Sequence, residues 1–377
     1  MKISDYVESQ IKGLWGTDFD ENGIPVIKTN NLTYEGHIDY SDICKRNITK
    51  EQAKECYLKP GDLLIEKSGG TKTHSVGYVS YFEGDENKFV CNNFILALRL
   101  KNTINSKFLF YQIQFKYESN QFSDCFNKTT GIQNLKVKDY LAKEIKIYAP
   151  EEQEKIVKEL DTVRLIINKN KQILEKYDIL IKSRFIEMFG NPQCISNNWK
   201  VNPLSDYCIV NPKKSELGPI PDDYELSFIP MQSVSENGDV DTSSIKHYKD
   251  VKTGFTYFRE NDVLFAKITP CMENGKGGVA RKLKNQIGFG STEFHVLRPI
   301  ETISNSEWIY RLTTFKTFRK DAENNMTGSA GQRRTPKEFF DKYKVGLPPI
   351  ELQNDFADFV QQIDKSKFEK KYKEYAA

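Results

Sequence analysis

Paired cysteines, long apolar runs and a strong charge of either sign are all missing from this sequence, and each absence removes a class of protein. Seven cysteines (44, 56, 91, 125, 194, 208, 271) stand singly, odd in total and without a CxxC pair. That pattern gives neither a disulfide framework nor a zinc knuckle, and it fits a reducing cytoplasm. No apolar run approaches the roughly 18 residues of a membrane span. The opening MKISDYVESQ carries Asp5 and Glu8 where a signal peptide needs an apolar core, so none is expected. Histidine is scarce, and the four (37, 74, 247, 295) lie far apart with no metal-ligand spacing. Net charge is only +3, from 55 basic and 52 acidic residues. Composition alone therefore argues weakly for a nucleic-acid partner, because a basic surface can be balanced by acidic residues elsewhere.

What is present is a repeat. The chain has 377 residues, 38% of them apolar, enough for two cores of about 150 residues. TTGIQN (129–134) returns as SAGQRR (329–334) at an offset of 200. GDLLIEKSG (61–69) lies over NDVLFAKIT (261–269), placing Asp62 over Asp262 and Lys67 over Lys267. NFILALR (93–99) lies over EFHVLR (293–298), with Phe94 over Phe294, and SKFLFY (106–111) over SEWIYR (306–311). EGHID (35–39) echoes NGDVD (237–241) at an offset of 202. Proline then leads each copy into an acidic helical segment with a glutamine at the same place, Gln153 and Gln353. This reads as a tandem duplication. Within each copy, short β-branched and aromatic runs follow the turn signals KPGD and REND, which predicts strands. SKFLFYQIQ and SEWIYRLTTF predict short helices with a serine cap. The expected class is α+β.

Residues 151–189 contain no proline or glycine. Apolar steps alternate 4 and 3 through Ile156, Leu160, Val163, Ile167, Leu174, Tyr177, Ile181 and Met188, with Asn170 and Arg184 as polar insertions. This is a heptad seam, expected as a helix on the order of 55–60 Å long at about 1.5 Å per residue. Gly190 and Pro192 supply its stop. Leu352, Phe356, Phe359 and Ile363 repeat the seam before a lysine-rich run. Two such seams in one chain predict an intramolecular antiparallel coiled coil and a pseudo-two-fold. The plainer readings of either helix are a linker or a homodimer zipper. The outer faces of 151–189 hold eight acidic and eight basic residues, as a solvated surface does. Expected boundaries are 1–150 and 191–349 for the globular copies, and 151–190 and 350–377 for the helices.

The order of domain, long helix, domain and shorter helix resembles the specificity subunit of a Type I restriction-modification system. KGLWGTDFDENGIPVIKTNNL (12–32) is similar to that family's entry into a target recognition domain. TTGIQNLKVKDYLAKEIKIYAPEEQEKIV (129–157) and GQRRTPKEFFDKYKVGLPPIELQNDF (331–356) are similar to its two junctions from loop to spacer helix. The resemblance covers essentially the whole chain. It implies a non-catalytic reader of double-stranded DNA, with one half of a split, asymmetric site per domain and the helices setting the spacer. It further implies modification subunits that carry S-adenosylmethionine and methylate adenine, and restriction subunits using ATP and Mg, with no cofactor bound by this chain.

Base edges are read by loops carrying polar and basic side chains, with glycine allowing close approach. In the first copy the candidates are Lys67, Ser68, Gly69, Gly70, Thr71, Lys72 and Thr73, then Lys128, Thr129, Thr130, Gln133 and Asn134. In the second they are Lys267, Thr269, Lys276, Ser329, Gln332, Arg333 and Arg334. Arginine matches guanine in bidentate fashion, and glutamine or asparagine matches adenine. Thr130-Gly131 and Ala330-Gly331 read equally as turns before a strand, and Lys67 and Lys267 as structural. No enzyme is expected. GKGGVA (275–280) lacks the GK[ST] and helix of a phosphate loop, and NPQC and NPKK are not an NPPY adenine pocket. Asp62, Glu66 and Lys67 do not recur as a nuclease set, since Ala266 replaces the glutamate. The competing reading is an interaction scaffold that no longer reads DNA.

Overall fold

Gly61 and Asn261 both turn in the left-handed region, at φ +95° and +66°, which glycine and asparagine tolerate best. Each delivers the chain into a strand buried along its whole length, Leu63–Glu66 and Val263–Ala266. The computed structural model describes residues 1–71, 74–128, 132–191, 199–329 and 331–375. The chain divides into two units, Met1–Asn168 and Lys169–Ala377.

In the first unit the buried strand is central in an antiparallel sheet ordered Val7–Ile11, Ile95–Leu100, Leu63–Glu66 and Val79–Tyr81. Helix Ser106–Glu118 lays Phe108, Leu109, Phe110 and Ile113 on it. A second sheet holds Cys44–Arg46, Phe19–Ile27 and Val90–Cys91, the last two parallel. The second unit repeats the plan, with Cys208–Val210, Phe294–Pro299, Val263–Ala266 and Gly277–Val279 under helix Ser306–Thr314. Its other main sheet is Ile245–His247, Glu225–Ile229, Ile287–Gly290 and Thr256–Arg259, with the middle pair parallel. Both units mix helix and antiparallel sheet.

The repeated aspartates are buried anchors. Asp62 is gripped by Arg99 at 3.1 and 2.8 Å, and Asp262 by Arg298 at 2.8 and 2.7 Å. Burial pushes the Asp62 carboxyl up, with Arg99 pulling against it. A buried carboxylate in each copy thus has its obligatory partner.

Sheet register opposes Ile95 to Glu66 and Phe294 to Ala266, so Phe294 matches Ile95, and Phe94 matches Glu293. Accordingly Phe94 is 55% exposed and Phe294 only 1%. The short helices are capped by Asn105 and Asn305, whose side chains accept the N–H groups of Lys107 and Glu307. The following serines bond elsewhere, Ser106 with Tyr81 and Ser306 with the Asn261 carbonyl.

Pro150–Phe189 and Ile350–Tyr375 are continuous helices. Gly190, at φ +77°, follows the first. In the first unit Ile156 packs half-buried on the globular core. Nearby Asp161 accepts the Tyr111 hydroxyl and pairs with Lys107 at 3.1 Å. In the second unit the two long helices touch each other. Phe356 packs edge-on against Phe185 and Phe189, with centroids at 5.5 and 5.3 Å. Arg184 lies over Phe359 at 5.9 Å, and Lys367 pairs with Asp178 at 2.6 Å. Numbering falls on one helix as it rises on the other, so they run antiparallel. Ile181 and Phe356 are buried, with Phe359 and Ile363 half-buried against the same core. Leu174 and Tyr177 are half-buried.

Leu160, Val163 and Ile167 were expected in this seam but are 38, 52 and 44% exposed. The register explains it. Continued from Lys367 opposite Asp178, it sets Tyr375, the last described helical residue, opposite the stretch around Asn170. Those three side chains lie further toward the start of the first helix.

Candidate nucleic-acid interface

Beyond its buried strand, each unit extends the chain into a short polar ladder. In the first, Ser68–Gly69 pairs with Gln133–Leu135, which pairs with Phe126–Lys128. The Lys67 carbonyl accepts the Leu135 N–H at 2.8 Å. In the second, the Lys267 carbonyl accepts the Thr335 N–H at 2.9 Å, Thr269 donates to Arg333, and Arg334 exchanges both backbone bonds with Thr327. Loop residues far apart in sequence are therefore neighbours, and Asn134 and Arg334 hold the same place on the middle strand.

The glycines of the first ladder are required by its turn. Gly69 and Gly70 have φ +134° and +71°, and a Cβ would come within 2.4 Å of Glu66 Oε1 and 2.9 Å of Gln133 Oε1. Glu66 is buried, its carboxyl pushed up by desolvation, and it accepts the Gly70 N–H at 3.3 Å. Gln133 is a structural clasp, accepting the Val76 N–H at 3.2 Å and donating to the Thr71 carbonyl at 3.5 Å. Asn134 is exposed and takes the Ser68 hydroxyl at 2.5 Å. Lys67 is half-exposed. Thr71 closes the loop by bonding His74 through backbone and side chain. His74 stacks on Tyr34 with centroids 3.8 Å apart. Lys72, Thr73, Thr129, Thr130 and the side chain of Lys128 lie outside the described residues.

In the second ladder the arginines diverge. Arg333 donates to the Glu323 carbonyl at 2.6 Å. Arg334 forms a bidentate pair with Glu293, Nε to Oε2 at 2.9 Å and Nη2 to Oε1 at 2.9 Å. That guanidinium holds the Glu293 carboxyl below its ordinary range. Lys267 is half-buried, and desolvation lowers its amine. Thr269 bonds Glu273 at 2.8 Å. Ser329 and Gln332 are exposed and joined by a 3.0 Å backbone bond, and Lys276 is half-exposed. No group of acidic, cysteine or histidine residues suited to a metal occurs among the described residues.

Sequence reasoning missed Glu293 and Arg319. Arg319 is buried, donates to Thr313, Met272 and Gly275 at 2.7–3.2 Å, and lies 4.4 Å over Phe265. It holds the 270–276 loop with carbonyls alone, and burial brings it down to about 10. Nothing in an isolated arginine on a helix announces that. Glu293 was legible only with the one-residue slip in the repeat.

Two globular copies, each with a polar ladder and a long helix, are matched by one family model, that of the Type I restriction modification DNA specificity domain, over residues 3–176 and again over 196–375. The chain belongs to that family. Its relatives include the specificity subunits of the Type I restriction enzymes EcoAI and EcoEI of Escherichia coli. They are 42% identical over 162 residues and 38% over 156, which is 42 and 41% of this chain. The matches span 27 and 26% of those proteins, about a quarter of their length. In fold, the specificity-domain chain is similar to a Type I restriction-modification S subunit from M. genitalium, with TM-score 0.55, 14% identity, and 100% of this chain and 91% of that one covered. A chain from a structure on assembly and conformational transition of a type I R-M system gives TM-score 0.51 at 15% identity, covering 100 and 93%. These likenesses support two specificity domains in tandem with long helices. No helix among the described residues is long and apolar enough to cross a membrane.

Proposed function

We propose that this chain is the DNA-reading specificity subunit of a Type I restriction-modification complex. The single observation that carries the reading is the twice-built ladder, one backbone frame presenting Ser68 and Asn134 in one unit and Arg334 and Glu293 in the other. The same frame with different side chains is what two unlike half-sites require. Each unit reads one half of a bipartite, asymmetric duplex, and the long helices set the unread spacer. The chain performs no chemistry. Modification subunits bring S-adenosylmethionine and methylate adenine, and restriction subunits use ATP and Mg for cleavage, in the cytoplasm. The exposed Leu160, Val163, Ile166 and Ile167 on the first helix suit docking of such a subunit.

A genome-wide map of N6-methyladenine, with and without the gene, tests this. One bipartite motif should vanish on deletion. An unchanged map with the neighbouring genes expressed would move the scaffold reading to the front. DNA affinity of the complex should also fall steeply with salt, as counterion release requires.

A further inference from the structure

Arg334 stands out among the exposed cations because its guanidinium is oriented by partners yet keeps two donors. Its backbone is fixed on both sides, to Thr327 by N–H and carbonyl at 2.8 and 3.0 Å, with Arg333 and Thr335 bonded to the neighbouring strand. One edge of the side chain, Nε and Nη2, is taken by Glu293 at 2.9 Å each. Nη1 donates to the Gln332 carbonyl at 3.0 Å. A guanidinium has five N–H donors in a planar fork. Three are accounted for, and one N–H remains on each Nη. The side chain is 41% exposed.

A remaining donor on each Nη of a pre-oriented plane suits the paired acceptors O6 and N7 of guanine in the major groove. Glu293 supplies the orientation, so less rotamer freedom is lost on contact. The same carboxylate repels the full negative charge of a phosphate more than the partial charges of O6 and N7, which favours a base edge over the backbone. Arg333 offers no such fork, since it is turned to the Glu323 carbonyl. The equivalent place in the first unit carries Asn134, the side chain whose bidentate match is adenine. One position on the frame thus bears, in each unit, a residue type suited to reading a purine.

We propose that Arg334, positioned by Glu293, reads a guanine in the half-site of the second unit. This rests on the reading of the chain as a DNA-specificity subunit and names the base one side chain selects.

The test is selection from a randomised double-stranded DNA library by the full chain assembled with its modification subunits. The wild type should enrich a guanine at one position of one half-site. Arg334→Lys keeps the charge and loses the fork, and it should relax that position by on the order of ten- to a hundredfold. Glu293→Gln should relax the same position. All other positions should stay as they were. Uniform weakening on every sequence, with the salt slope reduced by about one, marks a phosphate contact and overturns the guanine assignment while leaving the subunit's role intact. Loss of selection across the whole half-site marks a structural role and overturns it too. Unchanged selection removes Arg334 from the interface. A wild-type complex that selects no sequence ends the specificity reading and this proposal together.

Discussion

Gln353 accepts the backbone N–H of Asn305 at 2.9 Å while its amide donates to the carbonyls of Ile303 and Pro348 at 3.1 and 2.9 Å. Gln153 makes the corresponding bond to Asn105 at 3.0 Å and donates to Tyr148 at 2.9 Å. Each glutamine ties the start of a long helix to the cap of the short helix in its own unit, so the helix leaves the domain at a defined place. Gln353 is fully buried, and truncation strands its partners. Gln353→Ala should lower the stability of the second unit by about 1–3 kcal/mol, read from its urea unfolding transition. A change within about 0.5 kcal/mol, the scale of surface substitutions, would contradict this.

Much of that frame was legible in the sequence, and the reasons divide by length scale. The duplicated Asp62 and Asp262, the glutamines and the uninterrupted 151–189 stretch are local strings that survive duplication. Glu293 was hidden because a one-residue slip within a strand flips which side chain faces the core, and Phe94 over Phe294 looked the better match. Asn105 and Ser106 both suit a cap, so the sequence does not choose between them. A heptad pattern carries a period but cannot say which of its residues meet a partner, and Leu160, Val163 and Ile167 are exposed. Arg319 depends wholly on tertiary carbonyls.

The two ends of the seam should behave oppositely. Phe356→Ala opens a cavity between the helices and should cost about 3–5 kcal/mol. Val163→Glu, on the exposed stretch, should leave the chain's own unfolding within about 0.5 kcal/mol and weaken assembly with the modification subunit. Calorimetry and co-purification separate the two outcomes, and destabilisation by Val163→Glu would mean the stretch is core.

His295 predicts a pH dependence. It is buried, bonded to the Thr335 carbonyl at 2.8 Å and to Asn211 at 3.0 Å. Burial lowers it from 6.5 to about 4. A histidine depressed in the fold binds fewer protons there than when unfolded, so its contribution is present above about 6.5 and is lost as pH falls toward about 4. The loss is on the order of 3 kcal/mol. His295→Gln should flatten the stability profile of the second unit across that window, as unfolding at a series of pH values would show. An unchanged slope would mean the histidine titrates normally.

The first helix as a ruler gives a length prediction. Four residues inserted within 165–175 add about 6 Å of helix, close to two base-pair steps of about 3.4 Å. The methylated motif should keep both halves with a spacer longer by one or two base pairs, or methylation should stop. The original spacer at full activity would be incompatible with a ruler.

The most direct measurement is a methylation map of cells whose only change is replacement of residues 327–334, the segment that carries Arg334. The account predicts a bipartite motif with one half altered and the other half and the spacer unchanged, because each unit carries its own ladder. Both halves changing together, or neither changing while methylation persists, would contradict it.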